Sequence, residues 1–294
     1  MTDSDHSDFF LPGDAKDSRY KDFRDHQETR AWVEALWSRF WPYAESNFRT
    51  KAKNHFHPQF WEMYLGVALL ERGFQLQRVP KKSGGPDFYF IHGNRKIWVE
   101  AVAPEAGTGT DHVPEIPCGT VQVVREPDIE KILLRFTNVF DTKRNQYVNA
   151  VSNSVIENDD LYILAINSHM IPNAAFVGPL PLFVRALLPF GAPTLVIDKQ
   201  TGEITDGFYQ CRESIAKAGG ETVPTMAFLD PQFAFVSAVL HSAVPWVNCP
   251  TVLDADFVVL HNPLASNPLD PGVFPWYKQM YYRNGMLETV PPTA

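Results

Sequence analysis

The stretch from Gly85 to Val102 constrains the fold more than any other part of the chain. Phe88 to Ile91 is a short apolar run, His92-Gly93-Asn94 supplies turn residues, and Ile97 to Ala103 is a second apolar run. Together they predict a β-hairpin. Each strand carries one carboxylate. Asp87 stands at the mouth of the first strand, and Glu100 lies within the second, amid Trp98, Val99, Ala101 and Val102. A lone Glu in such company is costly to bury unless something pairs with it. Two carboxylates brought together across a hairpin repel, and a divalent cation is the usual physical remedy.

Pro86-Asp87, a gap of twelve residues and then Glu100 resembles the PD-(D/E)XK nuclease superfamily, the restriction-endonuclease-like fold. The resemblance covers about residues 55 to 150. In that superfamily the Asp and Glu hold Mg²⁺, and a Lys two residues after the Glu helps to activate the attacking water. The resemblance implies an α/β fold: a central mixed sheet flanked by helices, a nuclease-like core at about residues 55–170, and additional C-terminal strands. It also implies metal-dependent hydrolysis of DNA phosphodiester bonds, with Mg²⁺ or Mn²⁺ on Asp87 and Glu100, in restriction, phage defence or repair. The lysine position is occupied by Val102. That departure carries the alternative, a nuclease-like fold without catalysis that serves as a binding or assembly module.

Two flanking segments bear on the resemblance. Pro58 to Gly73 reads as a helix, with Phe60, Trp61, Tyr64, Leu65, Ala68 and Leu69 apolar and Gly73 placed as a C-cap. Glu62 shares the face of Leu65, Gly66 and Leu69, three, four and seven residues on. The resembling nucleases often carry such a Glu facing the metal. The other reading of Glu62 is a surface residue favoured by the helix dipole. Pro127 to about Asn153 is strongly helical, with Ile129, Leu133, Phe136, Phe140, Tyr147 and Val151 on one stripe. Lys143 falls on that stripe, and Gln146 lies beside it. Some superfamily members carry the catalytic Lys on the helix after the sheet, which makes Lys143 the candidate replacement and Gln146 a neighbour that orients water or phosphate. The competing reading is a lysine whose stem packs while its ammonium escapes to solvent.

Hydrophobic residues make up 45% of the 294 residues and charged residues 20%, the balance of a globular protein. No apolar run reaches the roughly 20 residues of a membrane helix. The acidic start Met1-Thr2-Asp3-Ser4-Asp5-His6 is unlike a secretory signal, and three cysteines without metal-like spacing suit a reducing cytoplasm. Residues 1–25 read as a loose arm, and 26–294 as a single α/β domain. The net charge of −8 opposes nucleic acid as a partner, because phosphate binders usually show a basic face. Basic residues nonetheless cluster at Arg49, Lys51 and Lys53, at Arg78, Lys81 and Lys82, and at Lys131, Arg135, Lys143 and Arg144. DNA is the implied partner, with no membrane association and with a homodimer left open.

Elsewhere the chain alternates strand and helix signals. Glu28 to about Arg49 reads as a helix, and Ala103 to Glu126 as a long irregular loop able to cover the site. Leu161–Asn167, Thr194–Ile197, Ile204–Tyr209, Phe233–Leu240 and Phe257–Leu260 read as strands, and Leu180–Leu188 as a short helix. His55 and His57 have a spacing that could hold zinc, but no third ligand lies in frame, so both read as near-surface residues.

Overall fold

The computed structural model describes residues 8–78, 85–115, 127–175, 180–245 and 248–293. Four helices lead the chain: α1 (Ser18–Asp25), α2 (Gln27–Phe40), α3 (Phe48–Asn54) and α4 (Phe56–Glu71). Strands β1 (Gln77–Arg78), β2 (Phe88–His92) and β3 (Arg95–Val102) follow, then the 24-residue helix α5 (Ile129–Ser152) and strand β4 (Leu161–Asn167). The remainder is α6 (Leu182–Leu187), β5 (Phe190–Ile197), β6 (Ile204–Cys211), β7 (Ser214–Ala216), β8 (Thr222–Pro224), β9 (Ala238–Ser242), β10 (Val258–His261), β11 (Lys278–Arg283) and β12 (Met286–Val290). Eight strands form one mixed sheet in the order β1-β2-β3-β4-β9-β10-β11-β12. Within it β3, β4 and β9 run parallel, and β2 and β3 form the expected antiparallel hairpin, with Phe88 opposite Val99. The chain is therefore α/β, a central mixed sheet flanked by helices with additional C-terminal strands.

Period-2 alternation sends the side chains of each strand to two separate cores. Ile97, Val99, Leu161, Ile163 and Ala165 join α4 in one; Trp98, Tyr162, Leu164 and Ile166 join α5 and α6 in the other. Helix α4 is buried on nearly all sides, and the indole of Trp61 donates to the Ala165 carbonyl at 2.9 Å, which docks the helix on the sheet centre. Gly73, at φ +85°, ends α4 as foreseen: its N–H bonds the Leu70 carbonyl and that of Phe74 bonds the Leu69 carbonyl. Asp128 caps α5 through the Lys131 N–H.

Several expectations need correction. Residues 8–25 are not a loose arm: Phe9, Phe10, Tyr20 and Phe23 are buried, and the Phe9 N–H donates to Glu34 at 2.6 Å. Four aromatic rings there outweigh the charge that surrounds them in sequence. Residues 1–7 lie outside the described residues. The single helix expected over Glu28–Arg49 is broken: α2 stops at Phe40, a 3-10 turn covers Trp41–Tyr43, and α3 starts at Phe48. Pro42 lacks the N–H that a continued helix needs. The strand expected from Phe233 begins instead at Ala238, because Pro231–Phe233 forms a 3-10 turn capped by Asp230. Of the long loop, residues 103–115 are irregular around a short 3-10 turn at Gly109–Asp111, and 116–126 lie outside the described residues. Among the described residues no helix is long and apolar enough to cross a membrane.

His57 is the largest departure from the near-surface reading. It is fully buried, and neither ring nitrogen has a hydrogen-bond partner among the described residues. Burial pushes its pKa down to about 3. The unfolded chain therefore binds a proton near pH 6.5 that the native state refuses, so His57 destabilises the fold as pH falls from about 6.5 toward 3. Thermal melts of His57→Leu between pH 7 and pH 4 are expected to retain on the order of 3 kcal/mol that the parent loses over that range. Parallel losses in both proteins would remove His57 from the acid response.

Candidate functional site

The hairpin brings its two carboxylates to one end of the sheet. Asp87 enters β2 from Pro86, and its Oδ2 accepts the Ala101 N–H at 2.7 Å. Ala101 packs with the α4 core while Trp98 and Val102 pack with the α5 core, so the intervening Glu100 projects toward α5. The Lys143 ammonium from α5 meets it there as an ion pair with Glu100 Oε1, and it also donates to Gln146 Oε1 at 2.8 Å. The side chains of Lys143 and Glu100 are only 14% and 12% exposed. The escaping-lysine reading is thus excluded: the ammonium turns inward to the carboxylate. Gln146 itself is solvent-exposed.

Glu62 reaches the same cluster from α4. It is buried, which excludes the helix-surface reading. Burial first, and then the charges of Asp87, Glu45 and Glu100, push its carboxyl well above the usual range. Asp87 is driven up to about 8, by burial first and Glu100 second, against the pull of the Ala101 N–H and Lys143. Burial also raises Glu100, although Lys143 opposes it. Three carboxyl groups lie within electrostatic reach of one another in a largely buried site, burial disfavours ionising all of them, and a proton or a bound cation relieves that cost.

The fit to such an ion can be tested on the donors themselves. Among the described residues no group of three or more His, Cys, Asp and Glu side chains stands in metal-binding proximity. That pattern disfavours an all-protein cage of the calcium or zinc kind. An ion that keeps most of its waters, as Mg²⁺ does, needs only one or two carboxylates. Asp87, at the mouth of β2, and Glu100, on β3, are the residues that could supply them.

Some of the basic residues gather at the site and others do not. Lys51 pairs with Glu45 at 2.5 Å, and against the pull of burial its pKa is raised by Glu45 first and then by Glu62 and Asp87. Arg49 and Lys53 instead hold the amino-terminal segment, through the Asp8 and Pro12 carbonyls. Arg144 turns to Gln232, and Lys131 pairs with Asp128. Lys81 and Lys82 lie outside the described residues. A cavity of about 390 Å³ opens beside the ion pair, lined by Pro86, Glu100, Lys143, Gln146, Tyr147 and Tyr162. Compared with protein-family models, with curated proteins and with solved structures, the chain gives no match. The site must therefore be read from its own chemistry.

Two participants escaped the sequence reading. Tyr162 is a buried phenol whose pKa is raised by burial and by the charges of Glu100 and Asp87, which places it against the carboxylates. In the sequence it is one residue of an apolar strand, and only the β3–β4 register, with Trp98 opposite Tyr162, reveals its position. Lys51 belongs to a common basic run and stays exposed, and only its place on α3 beside Glu45 brings its charge within reach of Glu62 and Asp87.

Proposed function

We propose that the chain is a metal-dependent nuclease that hydrolyses DNA phosphodiester bonds. The observation that carries the reading is the ion pair between Lys143 and Glu100, two residues from the Val102 position where the resembling nucleases keep their lysine. A lysine delivered by α5 supplies the ammonium that the strand lacks. Asp87 and Glu100 would hold Mg²⁺, which when bound polarises phosphoryl oxygens and lowers the pKa of water. Lys143 then presents its ammonium where negative charge builds on the phosphoryl oxygens, and a preorganised charge in a dry site stabilises that build-up strongly. Gln146 holds the ammonium by its amide oxygen and leaves its amide N–H groups for water or phosphate.

A second reading has its own support. With Lys143 satisfied by Glu100 and Gln146, and Asp87 satisfied by the Ala101 N–H, the cluster is also stable as a purely structural network in a binding or assembly module. The deciding experiment is a cleavage assay on plasmid, linear duplex and single-stranded DNA with and without Mg²⁺. Low salt is needed because an acidic protein makes few phosphate contacts and salt screens them. Metal-dependent cleavage that disappears in Asp87→Ala is the expected result. Absence of cleavage on all three substrates favours the module.

A further inference from the structure

A second, larger cleft lies where the parallel strands β3 and β4 end. It measures about 1360 Å³ and is bounded by the segment after β3 (Ala103–Thr108), by His169 after β4, by Lys16–Arg19 ahead of α1, and by Arg135 from α5. Crevices outside the carboxyl ends of parallel strands are where open α/β sheets take their ligands.

The two arginines of this cleft differ in what they face. Arg19 is neutralised by Asp17 at 2.9 Å and Glu105 at 3.3 Å. Arg135 has no ion pair among the described residues, and its buried Nε has no hydrogen-bond partner among them. Asp111 acts on it only through space, and burial alone pulls its pKa down. The loop makes room for this guanidinium: a Cβ at Gly107, whose φ is +84°, would lie 2.3 Å from Arg135 Nη1. A partly dehydrated guanidinium without a counter-ion is costly, and a planar fork of N–H donors matches an oxyanion.

We propose that this cleft is a phosphate-binding site in which Arg135 is the principal anion contact. His55 and His112 also line it, and each imidazole carries at least one N–H. Several donors around one guanidinium suit the four oxygens of a phosphate better than the two of a carboxylate. The phosphate can belong to a nucleic-acid strand or to a free nucleotide. The strand source rests on the nuclease reading: Arg135 and Lys143 are eight residues apart on α5, about 12 Å along its axis, so one strand could touch both. The nucleotide source does not depend on cleavage.

The test is binding by the full chain without Mg²⁺, so that nothing is cleaved. A fluorescein-labelled single-stranded oligonucleotide is followed by anisotropy, and adenosine monophosphate and inorganic phosphate are titrated by calorimetry. Arg135→Gln is expected to weaken binding by about tenfold or more, the loss of one charged hydrogen-bond partner. Arg144→Gln, on the same helix but turned to Gln232, is expected to bind as the parent does. Oligonucleotide binding that depends on Arg135 identifies the strand source; mononucleotide binding that depends on it, with no oligonucleotide binding, identifies the free nucleotide. Binding of neither, or binding indifferent to Arg135→Gln, overturns the site. A loss of cleavage with binding intact bears on the nuclease reading alone. Should Arg135→Gln fail to fold, the parent protein is treated with an arginine-directed dicarbonyl, and the site of reaction is mapped by mass spectrometry. Phosphate should then shield Arg135, and equal modification with and without phosphate rejects the proposal.

Discussion

Lys143→Met is expected to slow metal-dependent cleavage by about 10²- to 10³-fold, the usual cost of removing a preorganised charge from a reacting centre. Methionine keeps an apolar stem on the stripe between Phe140 and Tyr147, so helix α5 should dock as before. The loss is not silent in stability, because Glu100 is left buried without its counter-charge. Its raised pKa rises further, and the variant should be less stable than the parent above that pKa, by on the order of 1–3 kcal/mol. At lower pH Glu100 takes up a proton and the difference should shrink. Rates measured well below the melting temperature separate the two effects. Val102 shares a strand face with Glu100, so Val102→Lys in the Lys143→Met background should recover part of the activity. Unimpaired cleavage by Lys143→Met would move the role to Lys51, the other lysine beside the carboxylates.

Asp87→Ala and Glu100→Ala are each expected to abolish the calorimetric signal of Mg²⁺ or Mn²⁺ binding. An ion that takes only one or two carboxylates loses half or more of its protein ligands with either change. The same variants should lose the thermal shift that the ion gives the parent, about 2.7 kcal/mol of stabilisation when the ion stands at 100 times its Kd. Glu62→Gln should bind more weakly than the parent but still measurably, because a group acting through a water contributes less than a direct ligand. Metal binding at parental strength in both alanine variants would place the ion elsewhere.

The hairpin, the Schellman end at Gly73, the long helix α5 and the β4 strand were all legible, because each rests on local periodicity and on residues whose backbone preferences are strong. Lys143 was legible for a related reason: a lysine on an apolar stripe demands a partner, and Glu100 on an apolar strand demands one too. The burial of residues 8–23 was not, since it depends on a pocket made by α2, α3 and α4. Nor was the nearness of the Lys51 charge to Glu62 and Asp87, or the place of Tyr162, which depends on the register between β3 and β4. One omission did have a local signal. Asn284-Gly285 between β11 and β12, both at positive φ, is the kind of two-residue turn that marks a hairpin.

Glu100 and Lys143 are 43 residues apart in the chain, and helix α5 is the crossover that carries β3 to its parallel neighbour β4. Neither hairpin nor helix can build the ion pair alone. A nascent chain that has made the hairpin holds two mutually repelling carboxylates and no ammonium, and it gains the ammonium only when the crossover closes on the correct face of the sheet. Such closures are entropically slow and come with the tertiary fold, not before it. The pair thus reports on topology: a molecule with α5 misdocked keeps its secondary structure and leaves Glu100 without its ammonium.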